Sequence, residues 1–423
     1  MRCENYDVAP GRSAAPRSTG HGLRTLALGL SVVLLGFWVA ACGTTPSGPP
    51  PPAQLVGRPL GSAFVAVTGS GFPAGATAVV TGTTPQGATT VNVMTDARGE
   101  LLTSVAVPDG YQGPLDVRAT VGTAAATATV DAGAAPHEQP GDDAGVRPLP
   151  AVACTTTADV GSLPPASPGD VVCLTGDTSS RLTINVGGTP GKPVTYSGGG
   201  NTTVEGIDVT ADHVVVEGFE SKDAKSMGAR LQGNDITFRD NTIKHPVYDG
   251  DDTDGMRFFG DDITILHNTV TDVSDGSDCG NNGCGDGPHP DCMQTFYSEQ
   301  YPTSSHITIE GNRCENIAAQ CVIAEGPQLP DEGVDGPGQS ADWTVYDNYC
   351  DTGAAQAMQF KDVKNVTIAD NFFDGSNNKA ISLANASTGA HVGGNKLGEK
   401  TPKLITFDDG DEAPGYVGPT PDK

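Results

Sequence analysis

The residues best equipped for chemistry stand together in Gly285-Asp286-Gly287-Pro288-His289-Pro290-Asp291-Cys292-Met293-Gln294-Thr295-Phe296, where a histidine, two carboxylates and a cysteine precede a short apolar segment. His289 titrates near neutrality and Asp291 beside it raises its basicity, so the pair suits proton transfer. A second acidic run lies upstream, Asp249-Gly250-Asp251-Asp252-Thr253-Asp254-Gly255-Met256-Arg257-Phe258. Its carboxylates Asp249, Asp251, Asp252 and Asp254 repel one another unless solvated, protonated or metal-bound, and an all-oxygen set suits Ca²⁺. The alternative for either run is a loop or turn rich in Asp and Gly.

Both runs enter a similar segment, Met256-Arg257-Phe258 or Met293-Gln294-Thr295, and the series continues in Val322-Ile323-Ala324, Met358-Gln359-Phe360 and Ile381-Ser382-Leu383. Each is preceded by an alternating strand ending in asparagine, such as Ile263-Thr264-Ile265-Leu266-His267-Asn268 or Ile307-Thr308-Ile309-Glu310-Gly311-Asn312. The anchors Asn241, Asn268, Asn312, Asn348, Asn371 and Asn395 stand 27, 44, 36, 23 and 24 residues apart. A base period near the smallest of these spacings, lengthened by loop insertions, is the signature of a solenoid. Asparagine tolerates the left-handed bend expected at each anchor, and stacked side chains can bond from coil to coil.

If Met256, Met293, Val322 and Met358 point inward, Arg257, Gln294, Ile323 and Gln359 point outward. The insertions flank this row, at residues 249–254, 272–290 and 326–338 and after Phe296, and focus a cleft there. Arg257 and Lys361 are its candidate catalytic cations, with His289 and Asp291. Gln294, Gln359, Glu325 and His245 are candidate substrate-binding groups.

Over about residues 154–408 these repeats resemble the right-handed parallel β-helix of the pectin-lyase-like superfamily, and so does the opening Ser167-Pro168-Gly169-Asp170-Val171-Val172-Cys173-Leu174. The resemblance implies an all-β solenoid acting on polysaccharide. In a lyase of this fold a cation removes the proton beside a uronate carboxylate that Ca²⁺ has acidified, which points to Arg257 or Lys361. A hydrolase would use paired carboxylates, from Asp254, Asp261, Asp262 and Asp291. The Gly-Asp-Asp run resembles the Ca²⁺ site of some pectate lyases with different spacing. The Gly-His-Gly and Arg-x-Lys of polygalacturonases and the Arg-x-Pro-x-x-Arg of pectate lyases are absent, and the epimerase motif Asp-Pro-His-Glu is matched only in part by Pro288-His289-Pro290-Asp291. A non-catalytic glycan-binding adhesin and a structural spacer are the competing classes.

Composition agrees with a turn-rich β protein: 56 Gly, 32 Pro and 5% aromatic residues in 423. A net charge of −27 argues against a nucleic-acid surface, which needs clustered Lys and Arg. Thr25 to Ala41 is apolar, follows Arg12, Arg17 and Arg24, and ends in Val39-Ala40-Ala41-Cys42. It resembles a bacterial lipoprotein signal peptide, implying lipidation at Cys42, a membrane anchor and an extracellular chain; a stop-anchor is the alternative. Residues 1–41 are then the signal and 42–53 a Pro-rich tether. Short alternating strands over 54–132 predict a β-sandwich, and Gly69-Ser70-Gly71-Phe72-Pro73-Ala74-Gly75 resembles Ig-like modules of bacterial surface proteins, read as a spacer or weak glycan-binding module. Residues 133–152 form a linker, 153–408 the β-helix and 409–423 a disordered tail, in a chain expected to be monomeric.

Eight cysteines remain in an oxidising compartment, which favours disulfides. Cys292 and Cys321 share a slot on neighbouring coils, as do Cys314 and Cys350, and strands about 4.8 Å apart predict the bonds Cys292–Cys321 and Cys314–Cys350. Cys154–Cys173 would staple the first coil and Cys279–Cys284 close a loop. Reduced, buried cysteines are the alternative.

Overall fold

The computed structural model describes residues 52–60, 63–95, 99–108, 110–132, 152–248, 253–274, 290–301, 303–327, 340–408 and 413–422. The signal and its Cys42, most of the tether and linker, Asp249, Asp251, Asp252, Cys279, Cys284 and His289 lie outside them. Every regular element among the described residues is a strand.

From Thr156 onward the strands are parallel and the chain coils. A nine-stranded sheet stacks one short strand per coil, from Arg181–Ile184 through Gly206–Val209, Ala229–Gln232, Met256–Phe259, Met293–Phe296, Val322–Glu325, Gln356–Lys361 and Lys379–Ala384 to Ile405–Phe407. The other walls belong to a sixteen-stranded sheet bent into two columns, one holding Ile263–Leu266 and Ser305–Glu310, the other Thr269–Val273 and Arg313–Ile317. This is the expected parallel β-helix. Alternation decides what it buries: Met256, Phe258, Ile263, Ile265 and Val270 are wholly inaccessible and belong to one core that runs the length of the coil.

The bend between the two columns differs in detail from expectation. The left-handed conformation falls on the residue before each asparagine: Asp240, His267, Gly311, Asp347, Asp370 and Gly394. The asparagine itself turns inward and builds the ladder. The Oδ1 of Asn312 accepts the backbone N–H of Asn268 at 2.9 Å and its Nδ2 at 3.0 Å, and Asn348 does the same for Asn312 at 3.0 Å each. The residue that turns, an Asp, His or Gly, is the outer one; the amide that can both give and accept is the inner one.

Three disulfides form among the described residues, and two pair otherwise than the slots suggested. Cys154–Cys173 is as expected, but Cys292 bonds Cys314 and Cys321 bonds Cys350, with Cα atoms 5.9 and 5.7 Å apart. Cys314 and Cys350 are indeed register neighbours. Stacked side chains on parallel strands point the same way, however, so their Cβ atoms stay about 4.8 Å apart where a disulfide wants about 3.8 Å. Across the corner the side chains face each other, and there the bond forms. Non-reducing peptide mapping is expected to recover the 292–314 and 321–350 cross-links and no 292–321 peptide. Replacing Cys292 and Cys314 by alanine opens a loop with a separation of 22 residues; chemical unfolding should show a loss of about 3 kcal/mol.

The tail also departs from expectation. Residues 413–422 are ordered on the last coil: Val417 pairs with His391, Tyr416 packs edge-on against Phe407 at 5.1 Å, and the N–H of Leu404 donates to Asp422 at 2.9 Å. An apolar solenoid end needs a cap, and Tyr416 and Val417 supply it.

Residues 54–132 form two antiparallel sheets around their own core, strands Gln54–Leu60, Phe64–Ser70 and Leu101–Ala106 facing a four-stranded sheet centred on Thr77–Thr84 and Pro114–Val121. The sandwich is not a detached spacer. Residues 50–423 make one compact unit, and Leu60, Phe64 and Ala66 pack with Tyr346 and Ala369 of the β-helix.

Candidate functional site

The outward face of the nine-stranded sheet carries one row in continuous register: Thr183, Asp208, Arg230, Arg257, Gln294, Ile323, Gln359, Ser382 and Thr406. The predicted set is therefore brought together on successive rungs, but Gln294, Ile323, Gln359 and Ser382 are buried there rather than open, and of the row's guanidiniums Arg230 is the more exposed and Arg257 the less. Three residues that precede it were not singled out from sequence: Arg181, Asp208 and Arg230. The signal was there, since Ala229-Arg230-Leu231 repeats the pattern of Met256-Arg257-Phe258 one coil earlier.

Arg181 reaches over the row from its edge. Its Nε and Nη2 hold the two oxygens of Asp208 at 2.8 and 3.0 Å. Gly206 makes this possible, because a Cβ there would stand 2.1 Å from Nη1 of Arg181. Arg230 approaches the same carboxylate at 3.5 Å. One carboxylate thus serves two guanidiniums, and a third lies one rung on.

That third, Arg257, is fixed from below and from the side. Its Nε donates to Asp254 at 2.5 Å, and its guanidinium lies over the Phe296 ring, 5.7 Å from the centroid. Phe296 meets Phe259 and Tyr301 edge-on at 5.2 and 5.6 Å, while Phe259 and Tyr301 stack at 3.9 Å. An aromatic wall behind a guanidinium limits its rotamers.

Asp254 and Asp291 are wholly buried at the corner leading into this sheet. They form a carboxylate ladder: Asp254 Oδ1 accepts the N–H of Asp291 at 3.0 Å, and Asp291 Oδ1 accepts the N–H of Gln320 at 2.7 Å. The other oxygen of Asp291 accepts from Gln294 Nε2 at 3.5 Å. Each carboxylate therefore positions an outward group, Asp254 the guanidinium of Arg257 and Asp291 the amide of Gln294. Asp254 spends both oxygens on protein donors and does not fit a calcium ligand as placed; among the described residues no three His, Cys, Asp or Glu converge on a metal position.

The remaining candidates separate. Lys361 pairs with Glu325 at 2.6 Å beside a cavity of about 620 Å³ bounded by Phe296, Tyr297, Asp362 and Asn385. From Arg257 to Lys361 is three rungs and two residues, roughly 16 Å at about 4.8 Å per rung and 3.3 Å per residue. They stand on separate stretches of the row, each held by its own carboxylate, Asp254 or Glu325. His245 is exposed at the end of Thr242–Lys244, outside the nine-stranded sheet, with Nδ1 2.8 Å from Asp223. The carboxylates proposed for hydrolysis do not converge either. Asp261 and Asp262 follow the strand that Asp254 precedes, and Asp262 faces His306 at 3.6 Å.

The row closes at its far end on Asp408, which takes Lys379 at 2.5 and 2.6 Å, Ser382 at 2.5 Å and Thr406 at 2.9 Å. Burial alone would raise this carboxyl; the Lys379, Ser382 and Thr406 bonds outweigh it and hold it below the usual carboxylate value. A second cavity, of about 500 Å³, lies between sandwich and β-helix, but Glu100, Asp235 and Asp262 give it the opposite charge character.

No protein-family model matches the chain, and no curated protein matches it. Among solved structures it is similar to a mutant of the PL6 family alginate lyase AlyGC (13% identity, TM-score 0.41), covering 57% of this chain and 38% of that one. It is similar also to an alginate lyase from Paenibacillus sp. (17%, TM-score 0.32, covering 60% and 98%) and to the pectate lyase Pel9A (13%, TM-score 0.33, covering 58% and 71%). The chain thus spans well under half of the first of these, and at such identities and scores the likeness is one of coil architecture alone.

Proposed function

We propose that the groove over Arg230, Arg257, Gln294 and Gln359 binds an acidic polysaccharide along the coil axis and cleaves it by elimination. One observation carries the reading: in a chain of 24 basic against 51 acidic residues, three guanidiniums gather on one strip of one face. Arg230 and Arg257 stand on adjacent rungs, about 4.8 Å apart, and a guanidinium is the planar fork that suits a carboxylate.

In elimination from a uronate, a base removes the proton on the carbon next to the carboxylate. The electron pair becomes a carbon–carbon double bond, and the glycosidic oxygen leaves and takes up a proton. Negative charge builds on the carboxylate as the proton departs, and a fixed cation there lowers the barrier. Arg257 fills that role, locked by Asp254 and Phe296 before substrate arrives. A guanidinium does not surrender its proton. His289, on the insertion leading into the Asp291 corner, is the base this reading names, and Lys361 binds a sugar further along the chain. Calcium from solution is an addition to be tested, with the carboxylates of the acidic run at 249–252 as its ligands.

The second reading, binding without cleavage, draws on the burial of Asp291 and the pairing of Lys361 with Glu325. Polyuronates, neutral glucans and amino-sugar polymers distinguish carboxylate recognition from general glycan binding. Affinity for polyuronate alone, weakening with salt and falling about tenfold in Arg230→Ala, is expected. Equal retention of all three polymers would remove the basis of the proposal. The same reading places the protein outside the cytoplasm on a lipid anchor, in keeping with its disulfides. Radiolabelled palmitate should enter the wild type in a bacterial host and not Cys42→Ser.

A further inference from the structure

The seam between sandwich and β-helix is built around one histidine. His391, 6% exposed, lies face to face with Phe64 of the sandwich, ring centroids 5.6 Å apart and planes at 8°. Its Nδ1 is 3.0 Å from Ser104 Oγ, and that oxygen is 2.7 Å from Thr367 Oγ1. Gly393 on the same strand lets the contact close, since a Cβ there would come within 2.7 Å of the Phe64 ring and 2.8 Å of Ala63. At the rim Arg58 pairs with Glu310 at 2.8 Å and lies over Tyr346, 5.6 Å from its ring centroid.

We propose that this seam is a pH-sensitive latch: the sandwich stays docked on the β-helix while His391 is neutral and releases when it is protonated.

The hydrogen-bond chain fits the neutral ring. With the proton on Nε2, Ser104 donates to Nδ1 and can accept from Thr367. Protonation turns Nδ1 into a donor, and the two hydroxyls can reverse to meet it. Among the described residues no carboxylate pairs with the ring, and Glu310 at the rim is taken by Arg58. The sandwich strands packed against His391, Phe64–Ser70 and Leu101–Ala106, carry no titratable side chain. The neighbouring strand Val363–Ala369 carries Lys364, whose cation opposes a second positive charge, and is followed by Asp370 at the bend, where its carboxylate lies against Gly394. The C-terminal segment brings Tyr416, pushed up to about 12 by burial and so neutral. Burial alone holds the His391 imidazole below its ordinary value.

The sign follows. The proton binds more weakly in the docked state than in the released one, where the ring titrates at about 6.5. Docking is therefore at full strength above that value and weakens as pH falls through it toward the docked value, by up to about tenfold per pH unit. The released state bares the apolar surface of Leu60, Phe64, Tyr346 and Ala369.

Amide hydrogen exchange of the full chain in detergent, corrected for the intrinsic pH dependence, tests the latch. At pH 7.5 the strand Leu101–Ala106 should be protected, and at pH 5 it should exchange faster, by up to about tenfold for each pH unit below the released value, while Met256–Phe259 stays protected at both. His391→Phe and His391→Gln keep a neutral side chain and should remain docked at pH 5. Gly393→Ala, which pushes Phe64 away, should be released at both pH values and so calibrates the open state. Equal protection of the wild type at pH 7.5 and 5, or release of both His391 variants at the same pH as the wild type, would overturn the proposal.

Discussion

Asn312→Ala is expected to destabilise the β-helix by about 3–5 kcal/mol in chemical unfolding. The deletion orphans two donors on Asn268, its backbone N–H and its Nδ2, both of which end on Asn312 Oδ1. It also leaves Ile265 O, Glu310 O and Asn348 Oδ1 without the Nδ2 of Asn312. Each buried group left unsatisfied costs about 1–3 kcal/mol, and relaxation recovers part of the sum. Asn312→Asp keeps the acceptor and loses the donor, so it should lie between wild type and alanine near pH 7. A loss below about 1 kcal/mol for Asn312→Ala would mean that water or backbone repacking replaces the ladder, and the coil would then be held by its apolar core alone.

The second large effect concerns Arg257. In Arg257→Ala, product formation should fall by at least about 100-fold, the usual consequence of removing one group that stabilises developing charge. The protein should also lose stability, because Asp254, wholly buried, then loses the guanidinium beside it. Arg257→Lys restores the charge but not the fork or the lie over Phe296, so it should recover stability in greater part than activity. Lys361→Ala supplies the contrast. Lys361 sits about 16 Å along the groove by strand geometry, and its loss should weaken substrate binding while leaving turnover at saturation nearly unchanged. Equal loss of turnover in the two variants would place Lys361 at the reacting bond and contradict the register argument.

Much of this was legible before any coordinates. Period and alternation alone yield the coil, because an inward Met256, Met293, Val322 and Met358 leave no other disposition for Arg257, Gln294, Ile323 and Gln359. The asparagine ladder could be read because its hydrogen bonds repeat once per turn. What sequence could not show was direction across the coil. Slots on adjacent rungs are close in space, yet Cys292 faces Cys314 and Cys321 faces Cys350, since parallel side chains run alongside one another and opposed ones meet. The same limit applied to Asp254 and Asp291. Their spacing placed them beside the groove, but only the corner geometry turns them inward onto the backbone amides of Asp291 and Gln320. Docking of the sandwich through Phe64 depends on contacts hundreds of residues apart, such as Ser104 with His391, and leaves no local signature.

The central claim, that the guanidinium row handles uronate chains by elimination, is tested most directly by absorbance in the near ultraviolet during incubation with alginate and polygalacturonate, with and without added calcium. The account predicts a rising signal from unsaturated products in wild type with at least one of these polymers and a nearly flat trace with Arg257→Ala folded under the same conditions. No signal from either polymer with or without calcium, or equal signals from wild type and Arg257→Ala, would contradict it.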